Sequence, residues 1–84
     1  MANHSALIRA GRQATDRYGC GSGSSRLISG SMQLHDDLET RLARLKQTES
    51  ALFFPTGYHA NVGVLSSLMG PNDTIYSDCL NHAS

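Results

Sequence analysis

The chain has 84 residues, enough for one small domain with a thin hydrophobic core. Seven basic residues balance seven acidic ones, so the charge gives no case for a nucleic-acid partner or an anionic membrane. A hydrophobic share of 39% is typical of a folded globular chain, and no apolar run approaches the roughly 20 residues that span a bilayer.

The N-terminus lacks the basic-then-apolar pattern of a secretion signal. The two cysteines, Cys20 and Cys79, are far apart and form no CxxC motif. We therefore expect a cytoplasmic protein with two reduced thiols and no metal site.

Five residues recur at helical spacing early in the chain: Ala6, Leu7, Ala10, Ala14 and Tyr18. They predict a helix over residues 5–18, which the glycine- and serine-rich run from Gly19 to Ser25 ends. This run is not a dinucleotide-binding fingerprint, because neither register completes G-x-G-x-x-G and no strand precedes it. Residues 26–30 are predicted to be a short extended segment.

Four leucines form an apolar stripe that predicts a second helix, ending near residue 46: Leu34, Leu38, Leu42 and Leu45. Ser31 is expected to cap this helix, and acidic early turns followed by basic later turns suit its dipole. We expect the stripe to pack in the core. His35 lies beside it and is expected to be a half-buried, hydrogen-bonded, structural residue.

The second half of the chain predicts a strand–helix–strand unit. A buried strand over residues 51–54 leads through Pro55-Thr56-Gly57 into a helix over residues 58–69, and a second strand follows over residues 74–77. The helix is a long enough crossover for parallel pairing, so the predicted fold class is α/β. Ligands of open α/β sheets bind beyond the carboxyl ends of the strands, which is where Gly57 and His82 are expected.

The turn at Gly57 has the features of an anion site. The first N–H groups of a helix lack partners and lie at the positive end of its dipole, and phosphate is their commonest guest. Gly57 allows a bulky anion to approach the main chain. An ordinary strand-to-helix connection has the same short pattern, so the turn alone leaves both interpretations open.

Four sequence blocks, in order, resemble the α-oxoamine synthases, a family of pyridoxal-phosphate (PLP) enzymes with the aspartate-aminotransferase fold. They are Tyr18-Gly19-x-Gly21-x-Gly23-x-Ser25-Arg26-Leu27-Ile28-Ser29-Gly30, His35-x-x-Leu38-Glu39, Thr56-Gly57-Tyr58-x-Ala60-Asn61, and Ser77-Asp78-x-Leu80-Asn81-His82-Ala83-Ser84. The resemblance covers nearly all of this chain but only the early part of the family's longer chain. It implies one incomplete segment of the large PLP-binding domain, with a helix and glycine-rich loop over 1–30 and a helix and βαβ unit over 31–84.

The resemblance also implies roles for particular residues. Gly57 and Tyr58 match positions that bind the cofactor next to its phosphate, and His82 matches a histidine that stacks on the pyridine ring and contacts substrate. The loop of residues 19–30 matches a segment near the acyl-CoA side of the site, partly across a homodimer interface. The implied reaction is the condensation of an amino acid with an acyl thioester, carried by coenzyme A or an acyl carrier protein.

Residues 54–58 and 24–30 most resemble those of the family members that use alanine and a pimeloyl thioester, which implies these substrates. Members that use glycine and acetyl-CoA are the alternative, because the residues that select the acyl chain are expected mostly outside this sequence.

The chain departs from the family in two decisive respects. The chemistry requires a lysine that holds PLP covalently, and the only lysine, Lys46, does not match it. Neither Asp73 nor Asp78 matches the aspartate that pairs with the pyridine nitrogen. The chain also stops within Asn81–Ser84, where a helix is expected to begin, so we expect a piece of a longer enzyme that is inactive alone. The alternative is a non-catalytic protein: a decayed gene product, or a small phosphate-binding or interaction module.

Overall fold

A computed structural model describes all 84 residues. The chain divides into two compact units, Met1–Leu38 and Glu39–Ser84, which are described separately. Its regular elements are three α-helices and one π-helical turn: α1 (Ser5–Tyr18), the π-turn (Arg26–Gly30), α2 (Gln33–Lys46) and α3 (Gly57–Leu68). No helix is both long enough and apolar enough to cross a membrane.

Helix α1 has the bounds that its apolar spacing predicts. Its start is capped by His4, whose Nδ1 accepts a hydrogen bond from the Ala6 N–H at 3.3 Å. Its end is closed by Gly19, which has a φ of 81° and donates its N–H to the Thr15 carbonyl at 2.8 Å. Glycine adopts this positive-φ conformation without the steric cost of a side chain, so the loop begins here.

Residues 26–30 form the π-turn, so the predicted extended segment is wrong. The Gly30 N–H donates to the Ser25 carbonyl at 2.8 Å, which closes the turn. Gly30 is buried, and a Cβ on it would collide with the Ser24 carbonyl oxygen. The turn depends on this close backbone approach, which the apolar character of the segment does not reveal.

Helix α2 begins without the predicted Ser31 cap. Instead, the Met32 N–H donates to His35 Nδ1 at 3.0 Å, and the His35 N–H donates to the Met32 carbonyl at 2.9 Å. This reciprocal pair satisfies donors at the helix start in the manner of a capping box. Ser31 Oγ accepts a hydrogen bond from the Arg26 guanidinium at 3.4 Å. The prediction of a half-buried, hydrogen-bonded His35 is confirmed.

The hydrophobic core is thin, as the chain length predicts. Ala43 is the buried apolar residue of α2, whereas Leu34 is 41% exposed and Leu45 is 74% exposed. The leucine stripe is therefore not packed in a core by residues 1–84, because no other element of the chain covers it. Apolar side chains are also exposed on α1 and α3.

Residues 51–54 and 74–77 form no strand, so the parallel strand–helix–strand unit is not present in residues 1–84. A strand requires a hydrogen-bonded neighbour, and these segments bond neither to each other nor to a third segment in strand fashion. The first segment is tethered instead by a side chain: the Phe53 N–H donates to Glu39 Oε1 at 2.8 Å.

The helix of that predicted unit is present as α3, within one residue of its predicted bounds. Phe54 packs on its glycine face, where a Cβ on Gly63 would lie 2.8 Å from Phe54 Cε1. A turn held by Asp73, whose carboxylate accepts the Gly70 N–H at 2.7 Å, follows the helix. Both contacts fix how the chain enters and leaves α3.

Candidate functional site

The N-terminus of α3 has two unused hydrogen-bond donors. Thr56 is the N-cap: its Oγ1 accepts the His59 N–H at 3.2 Å, and its carbonyl accepts the Ala60 N–H at 3.0 Å. The N–H groups of Gly57 and Tyr58 have no acceptor in the structure. These two donors lie at the positive end of the helix dipole, which is the arrangement that binds anions.

The space in front of these donors is open. A Cβ built on Gly57 would meet no atom within 4 Å, and Tyr58 is 62% exposed. The Tyr58 ring lies edge-on to the imidazole of His59, with ring centroids 6.2 Å apart. His59 Nδ1 is in turn hydrogen-bonded to Thr56 Oγ1 at 2.7 Å, so side-chain contacts stabilise the first turn of α3.

His82 lies against the same helix. A concave pocket of about 330 Å³ lies between α3 and residues 81–84, and its lining includes Ala60, Asn61, Val64 and His82. Asn61 follows Gly57 by four residues, so the two share one face of α3. Gly57 and Tyr58 do not line the pocket themselves.

A chain of hydrogen bonds connects α3 to the imidazole of His82. The Asn61 side-chain amide donates to Ser84 Oγ at 2.7 Å. Ser84 Oγ is 2.7 Å from His82 Nδ1, and the Ser84 N–H donates to the same nitrogen at 3.1 Å. Asn61 and Ser84 occur in the sequence blocks, but sequence reasoning assigned them no role because 23 residues separate them.

The lysine, aspartates and cysteines named in the sequence analysis lie outside the lining of this pocket. Lys46 is the last residue of α2, outside the pocket lining. Asp73 holds the turn after α3, and Asp78 accepts the Leu80 N–H at 2.7 Å. Cys20 and Cys79 are exposed free thiols, as predicted.

The site has the chemical groups that suit a phosphate ester attached to a flat ring. Two free N–H donors at an unobstructed helix end can bind phosphate oxygens, and an imidazole beside an apolar helix face can stack on an aromatic ring. His82 lines a pocket whose walls include the apolar side chains of Val64 and Leu65. The residues present therefore fit PLP.

Comparison with known proteins identifies the class of this chain. Residues 1–84 match the protein family described as aminotransferase class I and II. The match extends over the whole chain, so the chain belongs to this family, and the family resemblance inferred from the four sequence blocks is confirmed.

Individual relatives share one name. The 8-amino-7-oxononanoate synthase of Geobacter sulfurreducens is 56% identical, and that of Pelobacter propionicus is 52% identical. A putative 8-amino-7-oxononanoate synthase of Bacillus licheniformis is 55% identical. Each alignment covers 84 residues, which are 100% of this chain and 22% of the relative, so the chain spans about a fifth of the length of these relatives.

Proposed function

We propose that this sequence is part of the PLP-binding domain of an 8-amino-7-oxononanoate synthase, which condenses L-alanine with a pimeloyl thioester in biotin biosynthesis. The observation that carries the proposal is the identity of 56% with a relative of that name over every residue of the chain. The free donors at the start of α3 support it, because they lie at the position where the resemblance expects the cofactor phosphate.

The residues have distinct proposed roles. The N–H groups of Gly57 and Tyr58 bind phosphate oxygens, and the missing Cβ of Gly57 leaves room for them. His82 holds the cofactor ring by stacking and offers a ring nitrogen to the substrate. PLP, when bound, supplies the electron sink that makes a carbanion at the amino-acid Cα accessible. Covalent attachment requires a lysine other than Lys46, so we propose that residues 1–84 do not catalyse the reaction alone.

We propose that residues 51–54 and 74–77 become parallel strands of the α/β sheet when neighbouring strands are supplied by the rest of a complete enzyme. The predicted segments 1–30 and 31–84 would then be parts of one large domain. Exposed Leu27 (93%) and Ile28 (77%) support a location of the loop of residues 19–30 at a homodimer interface, since such apolar surface is usually covered.

The test begins with the protein from its native source. Its intact mass is measured, and the purified protein is reduced with borohydride in the presence of PLP, digested and searched for a labelled lysine. We expect a mass several times 9.0 kDa and a label on a lysine outside this sequence. A native mass of 9.0 kDa would favour the non-catalytic alternative, and stoichiometric labelling of Lys46 with turnover would contradict the proposed inactivity of residues 1–84.

The substrates are tested on the same preparation. We expect release of the free thiol carrier from pimeloyl thioester to require L-alanine and to exceed release from acetyl-CoA with glycine. The reverse preference would reassign the protein to the glycine-dependent branch of the family.

A further inference from the structure

The hydrogen bonds around His82 define its protonation pattern. The Ser84 N–H is a donor, so His82 Nδ1 must be an acceptor at 3.1 Å. Asn61 donates to Ser84 Oγ at 2.7 Å, which leaves the Ser84 hydroxyl hydrogen free to donate to His82 Nδ1, also at 2.7 Å. A neutral imidazole that accepts at Nδ1 carries its proton on Nε2.

The second ring nitrogen has no partner within the chain. No residue hydrogen-bonds to His82 Nε2 in the structure. The network therefore fixes one edge of the ring and leaves an N–H donor on the opposite edge. Asn61 has no other hydrogen bond from its side chain, so it is the group that anchors this edge to α3.

We propose that Asn61 and Ser84 are positioning residues that hold His82 in its Nε2–H tautomer, so that its ring is presented to PLP and its Nε2–H to an acceptor on the substrate. This inference rests on the proposed function. Asn61 and Ser84 both line the pocket beside His82. They act through His82, and the side-chain amide of Asn61 determines the direction of the Ser84 hydroxyl hydrogen.

Substitutions can change the direction in which the Ser84 hydroxyl hydrogen points. In Asn61→Asp, the carboxylate can only accept, so the Ser84 hydroxyl turns to donate to it and no longer donates to His82 Nδ1. Ser84→Ala removes the hydroxyl, whereas Ser84→Thr keeps it. Asn72→Asp makes the same change of charge in the exposed turn after α3 and is the matched control.

The first measurement is the tautomer of His82 in the complete, cofactor-free protein that contains this sequence, read from two-bond ¹⁵N–¹H correlation spectra and assigned with His82→Gln. We expect the Nε2–H tautomer in the wild type, Ser84→Thr and Asn72→Asp. In Asn61→Asp and Ser84→Ala only the longer contact from the Ser84 N–H remains on His82 Nδ1, so we expect an admixture of the Nδ1–H tautomer. A wild-type Nδ1–H tautomer, or unchanged spectra in both Asn61→Asp and Ser84→Ala, would overturn the proposal.

The second measurement is the dissociation constant of PLP, from absorbance titration of the same proteins. Loss of one hydrogen bond in the network is expected to weaken binding by about tenfold in Asn61→Asp and Ser84→Ala, with Ser84→Thr and Asn72→Asp unchanged. Unfolding of Ser84→Ala but not of Ser84→Thr would overturn the positioning role in favour of a structural one. A wild type that binds no PLP would refute the proposed function, while the tautomer spectra would still decide this inference.

Discussion

The glycine at the start of α3 allows cofactor binding to be separated from folding. Gly57→Ala adds one methyl group at the first residue of the helix, where it would meet no atom within 4 Å apart from its chain neighbours and the backbone of the same helix. The free protein therefore has no steric reason to lose stability. A phosphate bound to the Gly57 and Tyr58 N–H groups would, however, meet the new methyl group at the close approach that glycine permits.

Two magnitudes follow from this geometry. Alanine is favoured over glycine within helices by about 1 kcal/mol, and somewhat less in the first turn, so the free energy of unfolding should rise slightly or stay unchanged. Displacing the phosphate from one of its two N–H donors removes a hydrogen bond to a charged group, worth about 1.5–3 kcal/mol. The dissociation constant of PLP should therefore increase about tenfold to a hundredfold.

The assay compares Gly57→Ala with Gly11→Ala in the complete protein. Gly11 lies within α1 and also has nothing within 4 Å of an added Cβ, so it is a matched change far from the site in sequence. Urea unfolding gives the stability, and absorbance titration with PLP gives the affinity. We expect Gly11→Ala to raise stability by about 0.5–1 kcal/mol and to leave PLP affinity unchanged.

Two results would contradict phosphate binding at the start of α3. An unchanged PLP affinity in Gly57→Ala would show that the phosphate does not bind at the start of α3. An equal loss of affinity in Gly11→Ala would show that the effect comes from the fold as a whole.

Three further predictions concern the surroundings of α3 and the chain itself. Gly63→Ala should destabilise the complete protein by about 1 kcal/mol because the Phe54 ring must move. In a Phe54→Ala background the ring is absent, so the same substitution should stabilise the helix. Urea unfolding of the double-mutant cycle measures both effects. In the complete protein, Glu39→Ala removes the acceptor of the Phe53 N–H and should speed hydrogen exchange of that amide by about tenfold. Glu39→Gln keeps an acceptor and should change the exchange rate little. The isolated 84-residue chain should unfold without a cooperative transition and acquire no borohydride-fixed PLP at Lys46; a sharp transition of a monomer would contradict this.

Local sequence patterns predicted the helices well. The bounds of α1 follow from apolar spacing and from Gly19, whose positive φ ends the helix through contacts a few residues away. The start of α3 follows from Thr56 and Gly57 in the same way. Such features depend on near neighbours in the chain, so one sequence contains the information that determines them.

Two kinds of feature could not be predicted in the same way: an unusually close backbone approach, and contacts between segments that are far apart in the sequence. The π-turn requires Gly30 to approach the Ser24 backbone closely, and apolar content does not encode that approach. Residues 51–54 have the composition of a buried strand, but a strand forms only beside another strand, and residues 1–84 provide none. The Asn61–Ser84–His82 network was missed because its members come together only when residues 82–84 fold back on α3.

The Thr56 cap limits how many oxygens of an anion the start of α3 can bind. By taking the third and fourth N–H groups of α3, Thr56 leaves the helix able to serve two oxygens. A phosphate monoester has three terminal oxygens and up to two negative charges. The helix end can therefore orient such a group but not neutralise it, and the remaining oxygen and charge must be met by side chains from beyond this turn. Affinity for a phosphorylated ligand would then depend jointly on separate parts of a complete protein, so that neither part alone retains the ligand.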